Sequence, residues 1–216
     1  MTEIAGSIIE ICFPVVGNSA PSQNAYPLYS AISRVIPEAH GATWLGVHTL
    51  KGRSTKPGII QLSRSAVLRI RLPVEHVPTM LRLAGTILDV GGHSIRCGIP
   101  QIFALRAAST LRSRLVVIKP KDFSGHADPQ SFLDALRRSL IRLGVTAEPE
   151  LERKPFPDSR ESFARRILSI RNTKIPGYGV IIRNLEPSDS LIIQENGLGG
   201  RRRMGCGLFV PLGRGD

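Results

Sequence analysis

The sequence predicts an α+β protein of two tandem ferredoxin-like (RRM-like) βαββαβ domains, residues 1–110 and 111–216. Three observations predict it. The chain has 216 residues with 42% hydrophobic content, enough for two cores of ordinary domain size. The first half reads strand, helix, strand, strand, helix, strand, the split βαβ order. That order then begins again, less regularly, near residue 111. One larger α+β domain is the alternative, because no sequence identity links the halves.

Residues 7–16 (SIIEICFPVV) are rich in β-branched side chains and predict a strand, with Pro14 at an edge or bulge. Over 26–40, Leu28, Ile32, Val35 and Ile36 recur at helical spacing; Pro37 distorts the last turn and Gly41 caps it. Residues 43–50 predict a strand, followed by a Lys/Arg/Gly/Pro loop to Gly58. Residues 66–72 alternate cleanly, with Leu68, Ile70 and Leu72 on one face and Arg69 and Arg71 on the other. A second helix is expected over 73–90 on the spacing of Val77, Met80, Leu81, Leu83 and Ile87, and a strand over 94–105.

The second half opens with a strand at 114–119. A helix over 128–143 carries Asp128 as N-cap, Pro129 as first residue, a stripe of Phe132, Leu133, Leu136, Leu140 and Leu143, and Gly144 as stop. A basic segment over 160–171 has no clear period. A strand at 178–185, a short helix or turn at 186–196, a glycine-rich loop and a strand at 208–212 complete the chain.

The 29 Lys and Arg against 17 Asp and Glu give a net charge of +12 and a pI near 10.6. The excess is spread, +5 in residues 1–108 and +7 in 109–216. Such a charge on a chain too apolar for a disordered tail points to a polyanionic partner. Cys12, Cys97 and Cys206 are odd in number and far apart, which argues against a disulfide framework or a zinc site and for a reducing, cytoplasmic setting. The acidic N-terminus lacks signal-peptide character, and no apolar run approaches membrane-span length, so no membrane partner is expected.

The most informative stretch is 197–209, GLGGRRRMGCGLF. It holds Gly197, Gly199, Gly200, Gly205 and Gly207 around Arg201, Arg202 and Arg203. Glycines allow close backbone approach, and guanidinium forks bind phosphate or guanine. No Lys-Ser/Thr follows the glycines, so this is not a P-loop. Arg202 stands where GxGxxG needs its third glycine. Arg137, Arg138 and Arg142 on the 128–143 helix, with Arg165, Arg166 and Arg171 beyond it, are a second candidate RNA-binding track along a hairpin stem. The few aromatics argue against binding dominated by stacked single-stranded bases.

The spacing of Gly197-Leu198-Gly199 from Gly205-Cys206-Gly207 resembles the C-terminal glycine-rich loop of the CRISPR-associated endoribonucleases that cut precursor CRISPR RNA within its repeats. These belong to the RAMP superfamily, and GLGGRRRMGCGLFVP is most similar to the myxobacterial-type type I branch. The Tyr-Ser-Ala-Ile-Ser-Arg helix at 29–34, the strand from Trp44 to His48 and the strand from Arg114 to Lys119 also match. The resemblance spans nearly the whole chain and implies tandem ferredoxin-like domains that bind CRISPR repeat RNA and mature it into guide RNA for antiviral defence. It implies cleavage without metal or cofactor, by 2′-OH attack giving a 2′,3′-cyclic phosphate and a 5′-OH. It also admits other subunits of a type I effector complex as partners. The loop is shared with non-cleaving relatives, so a non-catalytic RNA-binding subunit is the alternative, and a tandem RRM-like RNA chaperone a further one.

A neutral histidine can accept the 2′-OH proton. His40, at the end of the first helix, lies where many members of the resembled family carry their catalytic histidine, and His48, on the following strand, is the second candidate. Tyr29, with Tyr26 and Ser30, could orient the ribose or assist the leaving oxygen, and Lys51 and Arg53 could face the phosphate. His76, His93 and His126 read as surface residues.

Overall fold

The computed structural model describes residues 7–118, 128–158 and 161–213. The chain forms two compact units, Met1–Leu105 with Arg203–Gly205, and Arg106–Arg202 with Cys206–Asp216. The short return of Arg203–Gly205 to the first unit is what places the candidate site.

In the first unit β1 (Ile8–Val16) turns Ile9, Ile11, Phe13 and Val15 into the core, the alternation expected of a half-buried strand. After β2 (Ser19–Pro21) comes α1 (Ala25–Val35), which buries Leu28, Tyr29, Ala31 and Ile32. Asn24, just before α1, is buried. Its amide donates to the Leu50 carbonyl at 3.1 Å and accepts the Leu50 N–H at 2.9 Å, tying the helix start to the chain beyond β3 (Gly46–Val47). Then follow β4 (Arg53–Lys56), β5 (Ile59–Gln61), β6 (Val67–Pro73), α2 (Val77–Leu81), β7 (Ile87–Asp89), β8 (Ser94–Cys97) and β9 (Gln101–Ala104). β1 pairs antiparallel with both β6 and β9, and β6 pairs with β3. The path β9-β1-β6-β3 is the fourth-first-third-second order of a ferredoxin-like sheet, which β8 and β7 extend from β1, while β2-β5-β4 forms a separate three-stranded sheet.

The second unit repeats the order. Its elements are β10 (Leu111–Val116), α3 (Pro129–Arg142), β11 (Pro149–Leu151), β12 (Arg153–Asp158), β13 (Glu161–Phe163), β14 (Arg165–Ile170), β15 (Thr173–Ile182), α4 (Pro187–Asn196) and β16 (Val210–Pro211). The path β16-β10-β15-β11 is again fourth-first-third-second, with β14 paired to β15. Phe132, Leu136 and Leu140 of α3 meet Val180 and Ile182 of β15 and Phe209 in one core. The fold is thus tandem ferredoxin-like, as expected. No helix among the described residues is long and apolar enough to cross a membrane.

The end signals of α3 act as predicted. Asp128 accepts the Ser131 N–H at 2.9 Å, and Gly144 takes φ +72° while the Val145 N–H returns to the Leu140 carbonyl at 3.1 Å. Other expectations are corrected. The helix expected over 73–90 is a 3-10 turn and the five residues of α2, after which Gly85 (φ +76°) reverses the chain. Leu88 and Val90 are buried between exposed Ile87 and Asp89, so strand alternation wins over the helical spacing. The strand expected over 43–50 shrinks to Gly46–Val47, and that over 94–105 breaks at Gly98-Ile99-Pro100 into β8 and β9. The loop expected up to Gly58 contains β4. The strand expected at 114–119 is β10, shifted earlier, and Lys119 lies outside the described residues, as do His126 and Arg160.

Candidate active site

The site grows from the end of α1. Pro37–Ala39 forms a 3-10 turn, closed by the His40 N–H to the Pro37 carbonyl at 2.9 Å. Gly41 follows with φ +78°, a conformation that favours glycine. This turn leaves His40 exposed while Tyr29 beneath it is buried. The Gly41 N–H donates to the Tyr29 hydroxyl at 2.9 Å, so the residue after the imidazole is pinned to the helix. The Tyr29 and His40 rings lie 6.3 Å apart, centroid to centroid, and 19° from parallel.

The arginine loop meets the same ring. The Arg203 guanidinium carbon lies 5.5 Å from the Tyr29 centroid, within cation–π range. Together these two spacings hold guanidinium and imidazole within about 12 Å of each other. Gly205, at φ +75°, seats the loop tip on the chain around β3: a Cβ there would lie 3.0 Å from Thr49 Cγ2 and 3.3 Å from the Val47 carbonyl.

The flanks of the loop are held within the second unit. Gly207 donates its N–H to the Leu115 carbonyl at 2.8 Å, Gly200 to Val117 at 2.9 Å, and Leu198 to Gly207 at 3.1 Å. A Cβ at Gly199 would collide with the Val117 carbonyl, and one at Gly207 with that of Leu198. Gly197, Gly199 and Gly207 therefore serve close backbone packing. Gly200 has open space around it. The three arginines part ways: Arg201 is exposed at φ +66°, Arg202 donates to the Glu195 carbonyl at 2.7 Å, and Arg203 lies over Tyr29.

His48 sits in different surroundings. Its Nε2 is 3.1 Å from Glu10 Oε1, and its side chain is 18% exposed. Glu10 also receives Arg71, whose guanidinium donates at 2.6 and 3.2 Å and is fully buried. Burial resists ionisation of Glu10, but the hydrogen bonds and charges of His48 and Arg71 outweigh it and hold the carboxyl well below its ordinary range. Burial, helped by the charges of Arg71 and Arg69, pushes the His48 imidazole down against the pull of Glu10. Glu10 and Arg71 lie on paired strands, β1 and β6, in one row of the sheet. Sequence reasoning missed this cluster. The alternation exposing Arg71 on one strand face was visible, but its partner is fixed only by register.

The second arginine track is partly occupied. Arg137 pairs with Asp134 at 2.7 Å and with Glu148, and Arg142 donates to Ser139 at 3.0 Å, while Arg138 is exposed. Arg166 pairs with Glu152 at 2.6 Å and donates to the Arg114 carbonyl at 2.7 Å; Arg165 is exposed on β14. Lys51 and Arg53 are exposed, and Tyr26 and Ser30 are half-buried on α1.

The family model Cas6 (Cas6 Crispr) matches residues 9–214. A CRISPR-associated endonuclease Cas6 from Myxococcus xanthus (strain DK1622) is 37% identical over 207 residues, covering 95% of this chain and 82% of that protein. Among solved structures, a CRISPR-associated protein Cas6 is similar with a TM-score of 0.64 at 15% identity, covering 95% of this chain and 99% of its own. A Cas6-related protein of Pyrococcus furiosus is similar with a TM-score of 0.61 at 19% identity, over 97% and 99%.

Proposed function

The chain belongs to the Cas6 family, and on that premise we propose that it is an endoribonuclease that binds CRISPR repeat RNA and cuts it without a metal ion. The observation that carries this reading is the grouping on Tyr29 of an exposed imidazole and a loop arginine. The chemistry needs a base for the ribose 2′-OH and positive charge beside the phosphate, and these two side chains supply both. In the step we propose, His40 takes the 2′-OH proton as the 2′-oxygen bonds to phosphorus. The bond from phosphorus to the 5′-oxygen breaks, and that oxygen takes a proton from water, to which His40 then returns the proton it accepted. The products are a 2′,3′-cyclic phosphate and a 5′-OH. Arg203 faces the developing negative charge, and Tyr29 positions His40 through Gly41.

His48 is the weaker candidate for the base, because its Nε2 is buried and lies against the Glu10 carboxylate. Arg138, Arg165 and Arg201 are exposed and are assigned contacts with RNA phosphates, in keeping with the net charge of +12. Retention of the matured guide, and assembly from there with other subunits of a type I effector complex in the cytoplasm, completes the proposal.

The test incubates the protein with its own repeat RNA in EDTA, beside the same RNA carrying a 2′-deoxy sugar at the cut. The first is expected to be cut to a cyclic phosphate and the second bound uncut. His40→Ala is expected to lower the single-turnover rate by about 10²–10⁴-fold. Magnesium-dependent cutting of both RNAs would refute the mechanism. An equal loss in a folded His48→Gln variant, with His40→Ala active, would move the base to His48.

A further inference from the structure

Trp44 and His76 form a feature that the cleavage site does not use. Their rings stack with centroids 3.9 Å apart and planes 15° from parallel. Both residues are only half-buried. Among the described residues neither the indole N–H nor the imidazole nitrogens has a hydrogen-bond partner, and none of these atoms is sealed from water. A core pair would bury its rings and satisfy its polar edges. This pair instead presents stacked rings with open donors and acceptors at their rim, the features that hold an unpaired base.

The position favours a base close to the cut. Trp44 follows His40 by four residues, which limits their Cα separation to about 14 Å. His76 precedes α2 and fixes the indole from the side of the β6–α2 connection, so the stack exists before RNA arrives. A preformed ring pair orders little on binding, which favours affinity.

We propose that the Trp44–His76 stack is a nucleobase platform that receives an unpaired nucleotide flanking the cleaved phosphodiester. The proposal rests on the RNA-cleaving reading and adds a single-stranded contact to it. It refines the expectation that base stacking contributes little: one preformed site near the imidazole suffices to fix the register of the strand.

Trp44 is the only tryptophan, so its emission reports on the platform alone. The probe is the repeat RNA with a 2′-deoxy sugar at the cut, labelled at a distant end so that anisotropy measures binding independently. Variants of that RNA carry 2-aminopurine at single unpaired positions beside the cut. With the wild-type protein, Trp44 emission is expected to be quenched as anisotropy saturates, and one 2-aminopurine position to be quenched with it. Trp44→Ala is expected to weaken binding by about 5- to 150-fold, and Trp44→Phe by less. Trimming the unpaired nucleotides should weaken wild-type binding by the same factor and leave Trp44→Ala unchanged. Saturated anisotropy with unaltered Trp44 emission and no 2-aminopurine response would overturn the platform while leaving the cleavage reading intact. This readout needs no variant to fold. Failure of the RNA to change anisotropy at all would overturn the platform together with the reading beneath it.

Discussion

Replacing Tyr29 by Phe removes one oxygen and keeps the ring, which separates the two ways in which this residue could serve the reaction. The lost oxygen accepts the Gly41 N–H at 2.9 Å, while the ring contacts to His40 and Arg203 survive. Gly41 is exposed, so its freed N–H can turn to water, and the cost should be about 1 kcal/mol. For a chain of this size that lowers Tm by about 2–4 °C. The larger effect is on geometry. Without its pin the Gly41 turn lets His40 drift, and a displacement on the order of 1 Å costs up to about 10²-fold in rate. The single-turnover rate of Tyr29→Phe should therefore fall by about 10- to 100-fold. RNA affinity should stay near wild type, and the pH–rate profile should keep its shape. Tyr29→Ala, which also empties a buried ring site, should cost about 3–5 kcal/mol and lose the Arg203 contact. Wild-type rates for Tyr29→Phe would show the hydroxyl to be idle. A loss beyond 10³-fold, with one limb of the pH–rate profile gone, would make Tyr29 a proton-transfer group and refute the positioning role.

The Glu10–His48–Arg71 cluster makes stability depend on pH in one direction. Both His48 and Glu10 titrate lower in the folded protein than their ordinary values of 6.5 and 4.5, so the unfolded chain binds more protons in each window. Urea midpoints should therefore fall first as pH drops below 6.5 and again below 4.5. His48→Gln should remove the upper decline; a midpoint that rises on acidification would contradict the sign. Glu10→Gln should flatten the lower decline, to which Glu152, held down by Arg166 and Arg112 against its burial, also contributes, and should cost about 3 kcal/mol at neutral pH by stripping a carboxylate from buried Arg71, a loss read from the same urea curves. In the glycine loop, Gly207→Ala must hold φ +66° and push a Cβ into the Leu198 carbonyl, at about 3 kcal/mol, whereas Gly200→Ala meets open space and should be near neutral. Equal urea midpoints for these two variants would dismiss the close-packing role of Gly207.

Local chemistry along the chain was enough for the elements whose signals lie within a few residues. The Asp128 cap, the Gly144 stop and the Phe132–Leu143 stripe of α3 depend only on near neighbours, and they stand where the sequence put them. The ferredoxin-like class likewise follows from local period in the first half and from a less regular restart near residue 111, whereas β11 to β14 have no counterpart among the expected elements. The loop at 197–207 could be singled out for its glycines and arginines, because composition needs no partner to be visible.

Tertiary structure decided everything that depends on which strand lies beside which. The 73–90 segment fits a helical spacing as well as a strand alternation, and only the pairing of β7 with β8 breaks the tie. Glu10 and Arg71 are 61 residues apart and meet because β1 and β6 share a register. Of three consecutive arginines, alike as sequence, only Arg203 reaches Tyr29, since hydrogen bonds and glycine turns on either side direct the backbone there. The two histidines eight residues apart part company for the same reason. One stands on an exposed turn, and the other is drawn into a buried ion cluster whose electrostatics no one-dimensional reading contains.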